Sequence, residues 1–311
     1  MGRTDVIDLD RIARPSGGLA MVAIDQRESL RTMFQEACRR EISDQVVMDF
    51  KVAVARVLAP DASAMLFDRH FAMPAFEAAG LVAPRCGRII AGDRLVQERG
   101  QAVTDTDIDF EVDPIDAREK GAVALKLLVL WRGNENAERC LSLASAFMDR
   151  CRAAGVIGII EAMVRPPSAG ADGWDREVSI LEAAQMLGAS QPDLYKCDVP
   201  YRGRVSAVEI SRASESISKA LPCPWVVLSG GTDLADFPGA VEAACRGGAS
   251  GFLAGRAIWA DTIGWTGYEQ KLELVSSPRL RRLCDVVDSL ARPWRTVRSG
   301  MAYPIEGHVA R

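Results

Sequence analysis

Eight short apolar runs recur along this chain with helical stretches between them, and that beat restricts the fold more than any other feature. The runs are residues 18–25 (GLAMVAID), 62–68 (ASAMLFD), 86–91 (CGRIIA), 123–131 (VALKLLVLW), 156–164 (VIGIIEAMV), 193–199 (DLYKCDV), 225–229 (WVVLS) and 251–255 (GFLAG). Each is bounded by Gly, Pro or charged residues and is apolar on both alternating faces, as a strand covered on both sides must be. Between the first two, Val46, Val47, Phe50, Val54, Val57 and Leu58 fall on one helical face behind Ser43 or Asp44 as N-cap. Leu141, Ala144, Phe147, Met148 and Cys151 do the same after the fourth run. Val178, Leu181, Ala184, Gln185 and Leu187 follow the fifth, with Gly188 expected as a C-cap. Phe237, Ala240, Val241 and Ala244 form a shorter helix ahead of Gly247. No Ser/Gly-rich linker cuts the chain, so its 311 residues read as one domain, a single (β/α)8 TIM barrel. A doubly wound open sheet is the alternative. Residues 88–115 break the beat: they are charged and weakly periodic, and suit an extra hairpin or a long loop.

Composition removes several function classes. The net charge is −4 and the basic residues are scattered, which argues against a nucleic-acid partner. No apolar stretch reaches transmembrane length, and Met-Gly-Arg-Thr-Asp-Val-Ile-Asp lacks a signal-peptide core, so no membrane partner is expected. Eight cysteines without a CxxC pair read as reduced, mostly buried thiols of a cytoplasmic protein. His70 and His308 are the only histidines, which disfavours a histidine-rich zinc site. No metal and no cofactor are expected.

The C-terminal ends of barrel strands carry the chemistry in this architecture. Read in order, they present Asp25-Gln26-Arg27, Asp68, Lys126, Glu161, Lys196, Ser229-Gly230-Gly231 and Gly255-Arg256. Only six lysines occur, and Lys126 and Lys196 interrupt apolar strand-like runs. Burying an ammonium is unfavourable unless it is paired or its pKa falls, and a neutral lysine amine is the group that attacks a carbonyl. Lys126 is therefore expected to act on Lys196 as a nearby like charge, and Glu161 to carry protons. A buried Lys126–Glu161 pair with a purely structural role is the plainer alternative. Asp25 is either part of this group or an N-cap. Ser229, Gly230, Gly231, Gly255 and Arg256 follow the seventh and eighth strands, where glycine-rich turns and a forked cation suit a phosphate. Gln26, Arg27 and Arg165 stand near strand ends as candidates for a second anion. Trp225, Trp259 and the cysteines read as packing, with Cys197 turned away from the side of Lys196. Asp68 and His70 read as structural or subunit-contact residues as readily as catalytic ones.

Together, SGG at 16–18, AIDQRE at 23–28, ALKLLVLW at 124–131, IIE at 159–161, RPP at 165–167, DLYK at 193–196, LSGG at 228–231 and GASGFLAGRA at 248–257 resemble the class I aldolases of the tagatose-1,6-bisphosphate aldolase type. Within that group, LKLLVLWR and VRPP are most similar to the sulfofructosephosphate aldolases of sulfoglycolysis. The likeness runs from about residue 7 to about residue 292 and falls in order at seven strand ends. It implies Lys196 as the Schiff-base lysine, Glu161 as the acid/base, and Lys126 and Asp25 as assisting groups. It further implies cleavage of 6-deoxy-6-sulfofructose 1-phosphate to dihydroxyacetone phosphate and sulfolactaldehyde, with tagatose- or fructose-1,6-bisphosphate as the alternative substrate. Ala162 stands where the family pattern has proline. A phosphate-binding isomerase and a non-catalytic sensor on the same scaffold are the other classes. A homo-oligomer, dimer or tetramer, is expected. The tail from about Pro293 lies outside the likeness, and its Pro-Trp and Tyr-Pro pairs suggest an irregular segment that covers a neighbour.

Overall fold

A computed structural model describes residues 8–97 and 103–299. All eight apolar runs fold as strands, their ends trimmed by no more than two residues. In chain order the strands are β1 (Leu19–Ala23), β2 (Ala64–Phe67), β3 (Gly87–Ala91), β4 (Asp93–Val96), β5 (Asp105–Ile108), β6 (Ala124–Trp131), β7 (Ile157–Val164), β8 (Leu194–Asp198), β9 (Trp225–Leu228) and β10 (Gly251–Ala254). Eight of them close a parallel barrel in the order β1-β10-β9-β8-β7-β6-β3-β2, which excludes the open sheet. The remaining two, β4 and β5, form an antiparallel hairpin with Asp93 opposite Ile108, so the break in the beat at 88–115 is the hairpin form.

Strand alternation builds two cores. Leu19, Met21, Leu66, Ile89, Ile159, Leu194, Val226 and Leu253 fill the barrel interior. Their neighbours in sequence, such as Leu125, Leu127, Tyr195, Cys197 and Val227, face the helices instead. Cys197 thus lies on the helix side, as expected, and Trp225 and Trp259 are packed in the same outer layer. The inward rows continue past the apolar plug into charge: Ala124 is followed by Lys126, Ile159 by Glu161 and Leu194 by Lys196. Register sets them side by side, with Leu128 opposite Glu161 and Glu161 opposite Lys196.

Local signals account for the helix boundaries. Asp175 caps Arg176–Gly188 by accepting from Glu177 N and Val178 N. Ser206 and Glu209 form a reciprocal capping box for Ala207–Ala220, which joins β8 to β9. Gly188 is not the C-cap. It is the last helical residue, Ala189 caps, and the left-handed position is Gln191, at φ 53°. Gly188 is small because a Cβ there would lie 3.0 Å from Pro222 Cδ, a packing demand that mimics a capping signal. Among the described residues no helix is long and apolar enough to cross a membrane.

The closed bottom of the barrel corrects the reading of the tail. Trp294–Ser299 is helical, and Trp294 is buried in the inner core beneath Leu9 and Ile12. Its backbone N–H donates to Gly17 O at 3.1 Å and its indole N–H to Asp10 at 3.0 Å. Pro293-Trp294 therefore plugs its own barrel. The Tyr-Pro pair lies outside the described residues.

Candidate active site

Lys126 is the hub of the barrel's upper layer. Its Nζ lies 2.7 Å from Asp93, 2.9 Å from Asp25 and 3.3 Å from Glu161. Burial works against the ammonium, but the three carboxylates overcome it and hold Lys126 well above the ordinary lysine pKa. Lys126 is thus not an uncompensated positive charge beside Lys196, which corrects the like-charge expectation. Asp25 is not an N-cap either: the residue capping the next helix is Arg27, without a side-chain bond. Burial raises the Asp25 carboxyl, yet Lys126 and Lys196, with Arg27 behind them, bring it well below the usual carboxylate range.

Lys196 Nζ donates to Glu161 Oε2 at 2.9 Å, the same oxygen that faces Lys126. Both residues are nearly buried, at 4% and 7% exposure, and both line one cavity of about 540 Å³ at the strands' C-terminal mouth. That cavity collects the twelve residues given a catalytic or anion-binding role from the sequence. Asp25, Lys126, Glu161 and Lys196 line it together with Ser229, Gly230, Gly231, Gly255 and Arg256 and with Gln26, Arg27 and Arg165; Asp93, Asp198 and Arg176 are among the further lining residues. Gly230, at φ 40°, is demanded by space as well as conformation: a Cβ would lie 2.0 Å from Asp198 Oδ1. Gln26 Oε1 is buried without a hydrogen-bond partner among the described residues. Arg27 is already engaged, its NH2 donating to the Asp93 carbonyl and carboxylate, both at 3.1 Å.

Sequence reasoning missed Asp93 and Asp198. Asp93 accepts from Lys126, Arg27 and Leu128 N, and so ties the hairpin to β6. The alternating row Ile89, Ala91, Asp93 would have marked it as inward-facing. Asp198 sits two residues beyond Lys196 on the same inward row, 3.1 Å from Arg176. Burial lifts its carboxyl to about 6, with Glu161 adding to the rise and Arg176 and Arg165 opposing it. A folded value of about 6 against an ordinary 3.8 is worth on the order of 3 kcal/mol. Its sign is unfavourable: between those values the unfolded chain ionises first, so this group's contribution to stability declines as pH rises from 4 to 7. Urea unfolding at both pH values should therefore show Asp198→Asn gaining stability relative to wild type by that order. An unchanged difference would remove Asp198 as a titrating group.

Asp68 and His70 stay outside the cavity lining. Asp68 pairs with Lys51, both wholly buried, and its second oxygen accepts from His70 N and Phe71 N at 2.9 and 2.7 Å. This is a strut between Asp44–Leu58 and the end of β2. Burial pushes Lys51 down despite Asp68.

Comparison with known proteins places the chain in a family. Residues 19–261 match the model of the DeoC/LacD family aldolases. A tagatose 1,6-diphosphate aldolase of Listeria monocytogenes is 28% identical over 319 residues, covering 93% of each chain. One from Enterococcus faecalis is 26% identical over 282 residues, 82% of this chain and 84% of its own. The solved structure of a fructose-bisphosphate aldolase from Slackia heliotrinireducens superposes with a TM-score of 0.61 at 18% identity, covering 97% of this chain and 91% of that one. The last likeness carries the fold alone, while the family match spans every barrel strand. The chain belongs to the DeoC/LacD family of aldolases, and is a lyase built on this barrel.

Proposed function

We propose that the enzyme is a class I aldolase that cleaves a ketose 1-phosphate through a Schiff base on Lys196. The observation that carries this reading is the 2.9 Å contact between Lys196 Nζ and Glu161 Oε2 in the cavity lining. An amine and a carboxyl that can exchange a proton with it are the two groups imine formation requires. Lys126 is the wrong lysine for attack, because its carboxylates keep it an ammonium without a lone pair.

Lys196 Nζ adds to the C2 carbonyl, and Glu161 delivers the proton with which the C2 oxygen leaves as water. The resulting iminium draws the C3–C4 bonding pair as the C4 hydroxyl gives its proton to the Glu161 carboxylate, which releases an aldehyde. Glu161 returns that proton to the enamine at C3, and water hydrolyses the imine to dihydroxyacetone phosphate and free Lys196. Lys126 and Asp25 hold the charge of the site constant while Glu161 changes protonation. Ser229, Gly230, Gly231, Gly255 and Arg256 receive the C1 phosphate: their glycines admit close backbone approach, and Arg256 supplies a guanidinium. In Glu161→Gln we expect kcat to fall by about 10²–10⁴-fold, with slower borohydride trapping of dihydroxyacetone phosphate. An unchanged kcat would take the proton-transfer role from Glu161.

The proposed substrate is 6-deoxy-6-sulfofructose 1-phosphate, giving sulfolactaldehyde as the aldehyde. LKLLVLWR and VRPP support it, and the second supplies Arg165 and Pro166 to the cavity. The names of the Listeria and Enterococcus relatives favour a second reading, tagatose 1,6-bisphosphate, with fructose 1,6-bisphosphate as the other sugar of that reading. Comparing kcat/KM on the three compounds decides between them: a strong preference for a bisphosphate transfers the assignment. Turnover of none would leave a ligand-binding sensor.

A further inference from the structure

Four inward strand rows can be followed above the apolar plug. Two residues beyond Lys126, Glu161, Lys196 and Val226 stand Leu128, Met163, Asp198 and Leu228, and all four line the cavity. Asp198 is the one polar side chain of this tier on β6 to β9, and its neighbour in register is Leu228. Neither barrel closure nor the proton transfers of Glu161 require a carboxylate there. At 6% exposure, that carboxylate is costly to keep.

The two oxygens of Asp198 face different surroundings. Oδ2 lies 3.1 Å from NH2 of Arg176, the first residue of the helix Arg176–Gly188. Oδ1 lies against Gly230, where a side chain would overlap it. Among the described residues none donates a hydrogen bond to Oδ1. Burial lifts the carboxyl to about 6, so at about pH 8 it is ionised and Oδ1 is an acceptor without a donor. Arg165, Arg176, Arg202 and Arg256 line the same cavity and are donors alone. A carboxylate among them suits a hydroxyl and disfavours a further anion.

We propose that Asp198 is a specificity-determining residue for the ketone half of the substrate, its Oδ1 accepting a hydrogen bond from the C3 hydroxyl. That group becomes the free hydroxyl of dihydroxyacetone phosphate. The assignment rests on the Schiff-base reading, which places C2 at Lys196 and the C1 phosphate at the turn holding Gly230. Asp198 stands between those two points: two residues beyond Lys196 on one strand, about 7 Å of rise, with Oδ1 on Gly230. Of the three carbons retained there, C1 is esterified and C2 is the carbonyl, so the C3 hydroxyl is the one donor. The C4 hydroxyl belongs to Glu161, which takes its proton.

The test sets dihydroxyacetone phosphate against hydroxyacetone phosphate, the same ketone without that hydroxyl. Both are mixed with enzyme and borohydride at about pH 8, and mass spectrometry of the intact chain reads the ratio of the two adducts, which differ by one oxygen. Wild type should favour dihydroxyacetone phosphate, and in Asp198→Ala that ratio should fall by about 10–100-fold, the range of a lost hydrogen bond to a charged group. Asp198→Asn, which leaves a hydrogen-bonding amide in place, should keep part of the preference. Both adducts reduced equally in Asp198→Ala, with the ratio unchanged, would assign Asp198 to the phosphate or to charge balance and overturn the proposal, as would no change at all. Wild-type enzyme that traps both ketones without preference overturns the role of Asp198 alone. Wild-type enzyme that traps neither overturns the Schiff-base reading, and the role of Asp198 with it.

Discussion

Replacing Lys196 with alanine should lower kcat on the order of 10⁵-fold, the scale on which a covalent nucleophile's loss is felt. It should also abolish borohydride trapping of dihydroxyacetone phosphate, read by mass spectrometry of the intact chain. The two readouts belong together because the iminium is both the electron sink and the species that borohydride reduces. Lys196→Arg sharpens the test: it keeps a positive charge beside Glu161 but supplies a guanidinium that stays protonated. If the lysine served only to balance charge, the arginine variant would retain activity; as nucleophile, both variants are equally dead. Neither change should prevent folding, because Glu161 retains Lys126 at 3.3 Å when Lys196 is gone. An alanine variant that turns over substrate would end the assignment.

The barrel was legible because each strand is buried on both faces and so appears as a nearly unbroken apolar run. Lys126, Glu161 and Lys196 were legible for the same reason, as charges set in an apolar background. Asp93 was hidden because its strand begins a hairpin in a charged segment, where one more carboxylate carries no contrast. Lys51 was hidden differently. It shares a helical face with Val47 and Val54, and long lysines on amphipathic helices ordinarily reach solvent. Asp198 lies only two residues from Lys196, but its neighbour Arg176 is fixed by the packing of a helix onto β8. What no local pattern encodes is partner choice. The contacts of Lys126 reach back to residues 25 and 93 and forward to residue 161, and only barrel closure and strand register bring those carboxylates to one nitrogen. The same holds for Arg27, which reads as a free cation in sequence and is committed to Asp93 in the fold.

Lys126→Met should be the most destabilising single change at the site. Methionine fills much of the volume but leaves Asp25, Asp93 and Glu161 without the ammonium that all three face. Removing one partner from a buried ionic group costs about 3–5 kcal/mol, because uncompensated charge stays behind. The pH dependence identifies the cause. In wild type the depressed Asp25 carboxyl contributes stability above its ordinary value of 3.8, and this is lost only as pH falls through its lower folded value. In the variant the abandoned Asp25 carboxylate should take up a proton at higher pH, so the stability gap from wild type is widest near pH 7 and narrows toward pH 4. Asp93→Asn in the same chain removes one charge while an amide oxygen still accepts from Leu128 N, and should recover part of the lost stability. It should not recover kcat, since the charge that steadies Glu161 through its proton transfers is still missing. Urea titrations at the two pH values, set beside the steady-state rate, separate these effects. A methionine variant as stable as wild type at pH 7 would mean that the carboxylates do not depend on Lys126.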